Sequence, residues 1–97
     1  MVIYMKDWGE FLLTRSIEKK VRNTIIKKLS NTDFIELNFE GVKNATQAFL
    51  DESIAKLLFV ISLADFTKKI KFKNTNHGIK TGIKFAVSER INKLYLK

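Results

Sequence analysis

Residues 34–52, FIELNFEGVKNATQAFLDE, decide the fold of this chain. At the start of the stretch Ile35, Leu37 and Phe39 alternate with polar residues, a period of two that is typical of a strand with one buried face. Gly41 ends the alternation, as a residue without a Cβ often does where the chain turns. We therefore predict a strand that ends in a tight turn at Gly41.

After this turn the apolar spacing becomes that of a helix. Asn44 and Thr46 are both candidate N-caps, because their side-chain oxygens can accept hydrogen bonds from the free N–H groups of a first helical turn. Asp51 and Glu52 fall in the first turns, where the helix dipole favours negative charge. The apolar residues that follow at helical spacing are Phe49, Ile54, Leu57, Leu58 and Ile61. We predict that this helix continues to about Ala64.

The segments before this stretch predict a hairpin followed by a helix. Residues 2–5 and 11–14 each have the apolar character of a short strand, and Asp7-Trp8-Gly9 between them is a turn signal. We expect these two strands to pair in antiparallel fashion. The next segment is an amphipathic helix with a basic outer face, and its apolar stripe consists of Ile17, Val21, Ile25 and Leu29.

The segment after the second helix predicts a strand and a last helix. Ile70 and Phe72 alternate with Lys69, Lys71 and Lys73, so the three lysines share one face of the predicted strand. A strand buried on both faces would not tolerate them, and one face of the sheet must therefore meet solvent or a partner. The apolar residues that predict the last helix are Ile79, Ile83, Val87, Ile91 and Leu94.

The predicted order of elements is β-β-α-β-α-β-α. Strands that alternate with helices favour parallel pairing through right-handed crossovers, whereas the first hairpin adds an antiparallel pair. We predict an α/β fold at the border with α+β: a single domain of residues 1–97 with a four-stranded mixed sheet and three helices mainly on one face. On the open face Glu36 could lie opposite one of the lysines if their strands are neighbours.

Composition narrows the class of protein. The chain has 97 residues, which fits one domain, and it contains no Cys and one His, so thiolate metal sites are excluded and no metal ion or cofactor is expected. No apolar run is long enough to span a membrane, and the apolar part of the N-terminal MVIYMKDW is too short for a signal peptide, so we expect a cytoplasmic protein. The formal net charge of +8 favours an acidic partner, which could be nucleic acid, an anionic surface or an acidic protein.

No residue pattern predicts a catalytic centre. Asp51 and Glu52 are adjacent, so on a helix they point about 100° apart and do not converge on one substrate atom. The sequence contains no nucleophile paired with a base, no glycine-rich phosphate loop and no metal motif. We therefore expect no catalytic residues and no enzymatic activity.

The stretch around Gly41 resembles a family of STAS-like domains of unknown function, related to sulfate transporters and anti-sigma-factor antagonists. The pattern of that family is Asp-Phe-x-Gly-Val followed by Thr-x-Ser-Phe-x-Asp-Glu. The corresponding residues here are Asn38-Phe39-Glu40-Gly41-Val42 and Thr46-Gln47-Ala48-Phe49-Leu50-Asp51-Glu52. The segment Phe11-Leu12-Leu13-Thr14-Arg15 also resembles the early strand of the family. The resemblance implies a helix-backed sheet of the STAS type.

Two residues of this chain depart from the family pattern. Asn38 stands where the family usually has Asp, and Ala48 where it usually has Ser. Regulatory STAS proteins are phosphorylated on a serine at the start of this helix, and that position corresponds to Gln47 here. The resemblance therefore implies no phosphorylation switch for this chain, and Thr46 is the one hydroxyl left in the turn.

Two hypotheses for function follow. The resemblance implies a non-enzymatic regulatory module that binds a protein partner in trans, such as an ATPase or kinase-like regulator, through Gly41, Asn44, Thr46, Gln47, Asp51 and Glu52. The alternative is a small basic protein of a phage or mobile element that binds nucleic acid, or inhibits a nucleic-acid-processing enzyme, through Lys69, Lys71 and Lys73. Both leave room for a homodimer, because the open sheet face and the apolar second helix each offer a surface.

Overall fold

The computed structural model describes residues 1–13 and 15–95, which form parallel strands and helices. The strands are β1 (Val2–Tyr4), β2 (Phe11–Leu12), β3 (Ile35–Asn38), β4 (Asn44–Ala45) and β5 (Ile70–Lys73). The α-helices are α1 (Arg15–Leu29), α2 (Gln47–Ser53), α3 (Leu63–Lys69) and α4 (His77–Tyr95). Two 3-10 helices cover Met5–Trp8 and Ala55–Phe59. The predicted mixed α/β class is confirmed.

The strands form two parallel sheets. The larger sheet has the order β1-β3-β5, and the smaller one pairs β2 with β4. The predicted four-stranded mixed sheet and its N-terminal hairpin are therefore wrong. The 3-10 helix Met5–Trp8, closed by Gly9 at φ 124°, turns the chain away from β1, so β2 pairs with β4 in a separate sheet. The predicted strand over residues 11–14 is reduced to Phe11–Leu12, and Thr14 lies outside the described residues.

The larger sheet has one buried face and one open face, as the alternation predicts. Ile35 and Leu37 are completely buried, whereas Lys71 and Lys73 are exposed. The register places Glu36 beside Lys71, which confirms that these two residues sit on neighbouring strands. The residues that point to the open face from the three strands are Val2, Tyr4, Glu36, Asn38, Lys71 and Lys73.

The second predicted helix is interrupted, so the described residues contain four α-helices where three were expected. Helix α2 ends at Ser53, and the chain continues as a 3-10 helix to Phe59. Helix α3 starts afresh because the Ser62 side chain accepts a hydrogen bond from the Asp65 backbone N–H, at 3.1 Å. Lys69 ends α3, so it does not belong to the strand in which it was predicted.

One hydrophobic core joins the buried sheet face to the helices. Its largest fully buried side chains include Phe39, Phe49, Met5 and Leu12. Residues 57–61 of the second predicted helix are all apolar, and Phe59 and Val60 remain 57% and 55% exposed, so this segment is covered only in part. Among the helices described, none has the length and apolar character needed to cross a membrane.

Candidate functional site: the junction of β4 and α2

The turn after β3 positions the start of the candidate site. The Val42 N–H donates to the Phe39 carbonyl at 3.0 Å, and Gly41 takes a φ of 83°, in the left-handed region that side chains with a Cβ rarely adopt. A Cβ on Gly41 would lie 2.5 Å from Cδ of Lys6. The predicted tight turn at Gly41 is thus confirmed, and the Lys6 side chain crosses directly over it.

Hydrogen bonds from both sides hold β4 in place between β2 and α4. The N–H groups of Lys43 and Asn44 donate to the Glu10 carbonyl at 2.7 and 3.3 Å, and Asn76 donates from Nδ2 to the Lys43 carbonyl at 3.0 Å. The Asn44 side chain accepts from the Ala45 N–H at 2.9 Å. Asn44 is therefore a strand residue and does not cap the helix.

Thr46 is the N-cap of α2, as predicted. Its Oγ1 accepts from the Phe49 N–H at 3.1 Å, and its backbone is extended, with φ −70° and ψ 156°. The next residue, Gln47, donates from Nε2 to the Gly82 carbonyl of α4 at 2.9 Å. The first hydrogen bond caps α2, and the second holds the start of α2 against α4.

Asp51 faces α4 one turn further along α2. Nη2 of Arg90 lies 2.7 Å from Oδ1 and 2.6 Å from Oδ2 of Asp51, and the Arg90 guanidinium stacks over the exposed Phe59 ring, 4.9 Å from its centroid. The Arg90 side chain is 11% exposed and its Nε is buried without a hydrogen-bond partner. Asp51 therefore accepts hydrogen bonds from Nη2 of this guanidinium, while Nε stays unpaired.

Glu52 points the other way, toward α1. Its carboxylate lies 2.7 Å from Nζ of Lys56 and 3.3 Å from Nη1 of Arg22, and the same Arg22 nitrogen donates to the Glu52 carbonyl at 2.7 Å. The hydrogen bond from Lys56, followed by the charges of Lys56 and Arg22, lowers the pKa of Glu52, although burial opposes the shift. The divergence of Asp51 and Glu52 agrees with their angular separation on a helix.

The structure thus divides the six predicted partner-binding residues into two groups. Asn44, Thr46 and Gln47 lie at the junction of β4 and α2, Gly41 lies in the turn that precedes β4, and Gly41, Asn44 and Gln47 are exposed. The two acidic residues, which form ion pairs with α4 and α1, lie further along α2.

Phe85 is a surface residue beside this junction that the sequence prediction missed. It is 55% exposed and contributes with Gln47, Ala48 and Asp51 to a shallow depression of about 250 Å³ between α2 and α4. In the sequence, Phe85 lies two residues after Ile83 and therefore off the apolar stripe of α4, which could have indicated that it is exposed. A large aromatic residue outside the buried stripe of a helix has to be covered by a neighbour or remain exposed.

The three lysines of the predicted basic face do not all lie on one strand. Lys71 and Lys73 are exposed on β5, while Lys69 is half-buried at the end of α3. Lys71 donates from Nζ to the Thr67 carbonyl at 3.0 Å. Among the described residues, no three His, Cys, Asp or Glu side chains are close enough to hold a metal ion.

Comparison with protein families gives one match, which extends over residues 19–80 and therefore includes β3, the Gly41 turn, the junction and β5. The matching family is described as a STAS-like domain of unknown function (DUF4325). Comparisons with curated proteins and with solved structures gave no significant match. Since the family match covers well over half of the chain, the protein belongs to the family of STAS-like domains of unknown function.

Proposed function

We propose that this chain is a regulatory module that binds another protein through the surface formed by Gln47, Ala48, Asp51, Phe85 and Glu89, here called the α2–α4 surface. The observation that carries the proposal is the exposed Phe85 ring beside the residues that the STAS-like resemblance singles out. An exposed aromatic residue flanked by polar and charged side chains has the composition of an interface anchor with its rim.

The rigidity of this surface supports a binding role. The hydrogen bond from Gln47 to Gly82 and the ion pair between Asp51 and Arg90 join α2 to α4 on either side of the depression. Binding to a preorganised surface costs less conformational entropy than binding to a surface that must first be ordered. We propose a non-enzymatic role, and we expect the partner to act in trans, for example as an ATPase or kinase-like regulator.

Site-specific photo-crosslinking in the native host tests this proposal. A benzophenone amino acid at Ala48, which is exposed at the centre of the surface, should capture one partner of defined mass. The matched control carries the same amino acid at Lys71, on the open face of the sheet. Identical products at both positions, or none at Ala48, would rule out the α2–α4 surface, and a product of twice the chain mass would identify a homodimer.

A second candidate function is favoured by one feature of the open sheet face. The register aligns Tyr4 with Asn38 and Asn38 with Lys73, and Tyr4 is 52% exposed. Phe34, which precedes β3, is 48% exposed. An exposed aromatic ring and a lysine on an open sheet are elements with which single-stranded nucleic acids are bound by stacking and phosphate contact. The negative charge of Glu36, in the middle of the same face, would repel phosphate groups and opposes such binding.

Salt-dependent binding distinguishes this candidate from the first. If the sheet face binds single-stranded RNA or DNA, affinity should fall steeply with salt, and Tyr4→Ala should weaken binding through the loss of stacking worth about 1–3 kcal/mol. Phe85→Ala serves as the control, since Phe85 belongs to the α2–α4 surface. Binding that Tyr4→Ala leaves unchanged would eliminate the sheet face.

A further inference from the structure

A groove lies between α4 and the pair formed by α3 and β5. It encloses about 490 Å³ and is here called the α3–α4 groove. Small-molecule sites commonly have volumes of roughly 300–1,000 Å³, so the groove is large enough for a drug-sized ligand. None of the predicted partner-binding residues lines it.

The walls of the groove are apolar. Phe66 and Ile83 are almost fully buried and form its base, while Phe72 and Val87 are half-buried and leave part of their side chains facing it. The Phe66 and Phe72 rings are tilted by 46°, with centroids 6.3 Å apart. The groove therefore presents aromatic and aliphatic surface that nothing else in the described structure covers.

The polar groups around the groove are cationic or neutral. Lys80 and Lys84 lie one turn apart on α4 and both line it, together with the hydroxyl residues Thr75 and Ser88. No Asp or Glu side chain is among the lining residues. The complementary ligand is thus apolar over most of its surface and carries a negative charge at one end.

We propose that the α3–α4 groove is a binding site for small anionic amphiphiles, namely carboxylic acids with an aliphatic or aromatic body. The apolar body packs against Phe66, Phe72 and Val87, and the carboxylate pairs with Lys80 and Lys84. The walls give affinity through burial of apolar surface, and the lysines give selectivity for an acid over a neutral or cationic compound of equal size. This site goes beyond the proposed partner surface and does not depend on it.

Calorimetric titration with decanoate tests the site, with decanol and decylamine as neutral and cationic controls of equal chain length; the two charged compounds are kept below their micellar concentrations and decanol below its solubility. We expect decanoate to bind more tightly than decanol, and decylamine to bind most weakly. Because each exposed charge pair is worth about 0.2–1 kcal/mol, the double variant Lys80→Gln/Lys84→Gln should weaken decanoate binding about two- to thirtyfold and leave decanol binding unchanged.

Two further variants complete the test. Lys19→Gln/Lys20→Gln removes the same charge from the exposed face of α1 and should not affect binding. Val87→Trp places a large ring in the groove and should abolish binding of both decanoate and decanol, with circular dichroism confirming that the variant is folded. Absence of decanoate binding to the native chain, equal affinity for decanol, or an equal loss in the α1 control would overturn the proposal.

Discussion

Breaking the ion pair between Asp51 and Arg90 should destabilise the protein more than an ordinary surface substitution. The Arg90 and Asp51 side chains are 11% and 32% exposed, so the pair lies between an exposed salt bridge and a buried one. Exposed pairs are worth about 0–1 kcal/mol, while removing one partner of a buried pair costs about 3–5 kcal/mol. We expect Asp51→Ala to lower the free energy of unfolding by about 2 kcal/mol.

The cost comes largely from the guanidinium of Arg90, which the substitution leaves without its carboxylate partner. Nε of Arg90 already has no hydrogen-bond partner, and without Asp51 the guanidinium would keep its contact with Phe59 but lose its carboxylate. A double-mutant cycle with Arg90→Met separates this pairwise contribution from the loss of packing, and we expect a coupling energy of about 1–2 kcal/mol.

Urea unfolding provides the measurement. The fluorescence of Trp8, which is half-buried against the core, should report the same transition as circular dichroism. Asp33→Ala, at an exposed acidic residue, is the matched control and should change stability by less than about 0.5 kcal/mol. A coupling energy below about 0.5 kcal/mol would refute the reasoning, because the pair would then behave like an exposed one. Asp51 also lies in the α2–α4 surface. A loss of partner binding in Asp51→Ala therefore bears on that surface only where the variant and the native protein are equally folded.

The remaining predictions concern the turn, the cap and the acidic residue that faces α1. Gly41→Ala should cost about 1–2 kcal/mol in urea unfolding because φ is positive there, and Gly41→Asn should cost less; equal costs would point to steric conflict with Lys6 instead. Thr46→Ala should cost about 1 kcal/mol through loss of the cap on the Phe49 N–H, with Thr46→Ser near native in the same assay. The lowered pKa of Glu52 stabilises the fold above the ordinary glutamate pKa of about 4.3, and this contribution disappears as the pH falls through the lower folded-state pKa. The difference in stability between native protein and Glu52→Gln should therefore shrink in acid, and a difference independent of pH would contradict the assigned cause.

Local patterns in the sequence predicted the elements that depend on local interactions. The alternation of Ile35 and Leu37 identified β3 and its buried face, and the positive φ of Gly41 and the cap at Thr46 follow from the chemistry of those two residue types. The STAS-like resemblance rests on this same stretch, and the family match includes it.

Long-range pairing could not be deduced in the same way. The apolar character of residues 2–5 indicates a strand, but it does not indicate whether the partner is β2 or β3. The break between α2 and α3 was hidden because the segment around Phe59 is apolar on all sides and gives no helical face to follow. Only Ser62, which caps α3, gave a local sign of a new helix.

Phe85 could not be assigned to the candidate site for the same reason. Its position off the apolar stripe of α4 suggests exposure, but its place beside Gln47 depends on how α4 packs against α2. That packing is set partly by Gly82, where a Cβ would lie 2.6 Å from Cδ1 of Leu50. A close approach between helices of this kind leaves no periodic signal in a single sequence.

The parallel arrangement of the larger sheet has a consequence for the speed of folding. Ile3 pairs with Leu37 and Leu37 with Phe72, so each strand must find a partner more than thirty residues away along the chain. Loop-closure entropy must be overcome before such pairings contribute any stability, and a topology dominated by distant contacts folds more slowly than one built from hairpins. During synthesis, β3 therefore remains without its second neighbour until β5 has left the ribosome, and the edge of β3 that pairs with β5 stays open to misassociation until then.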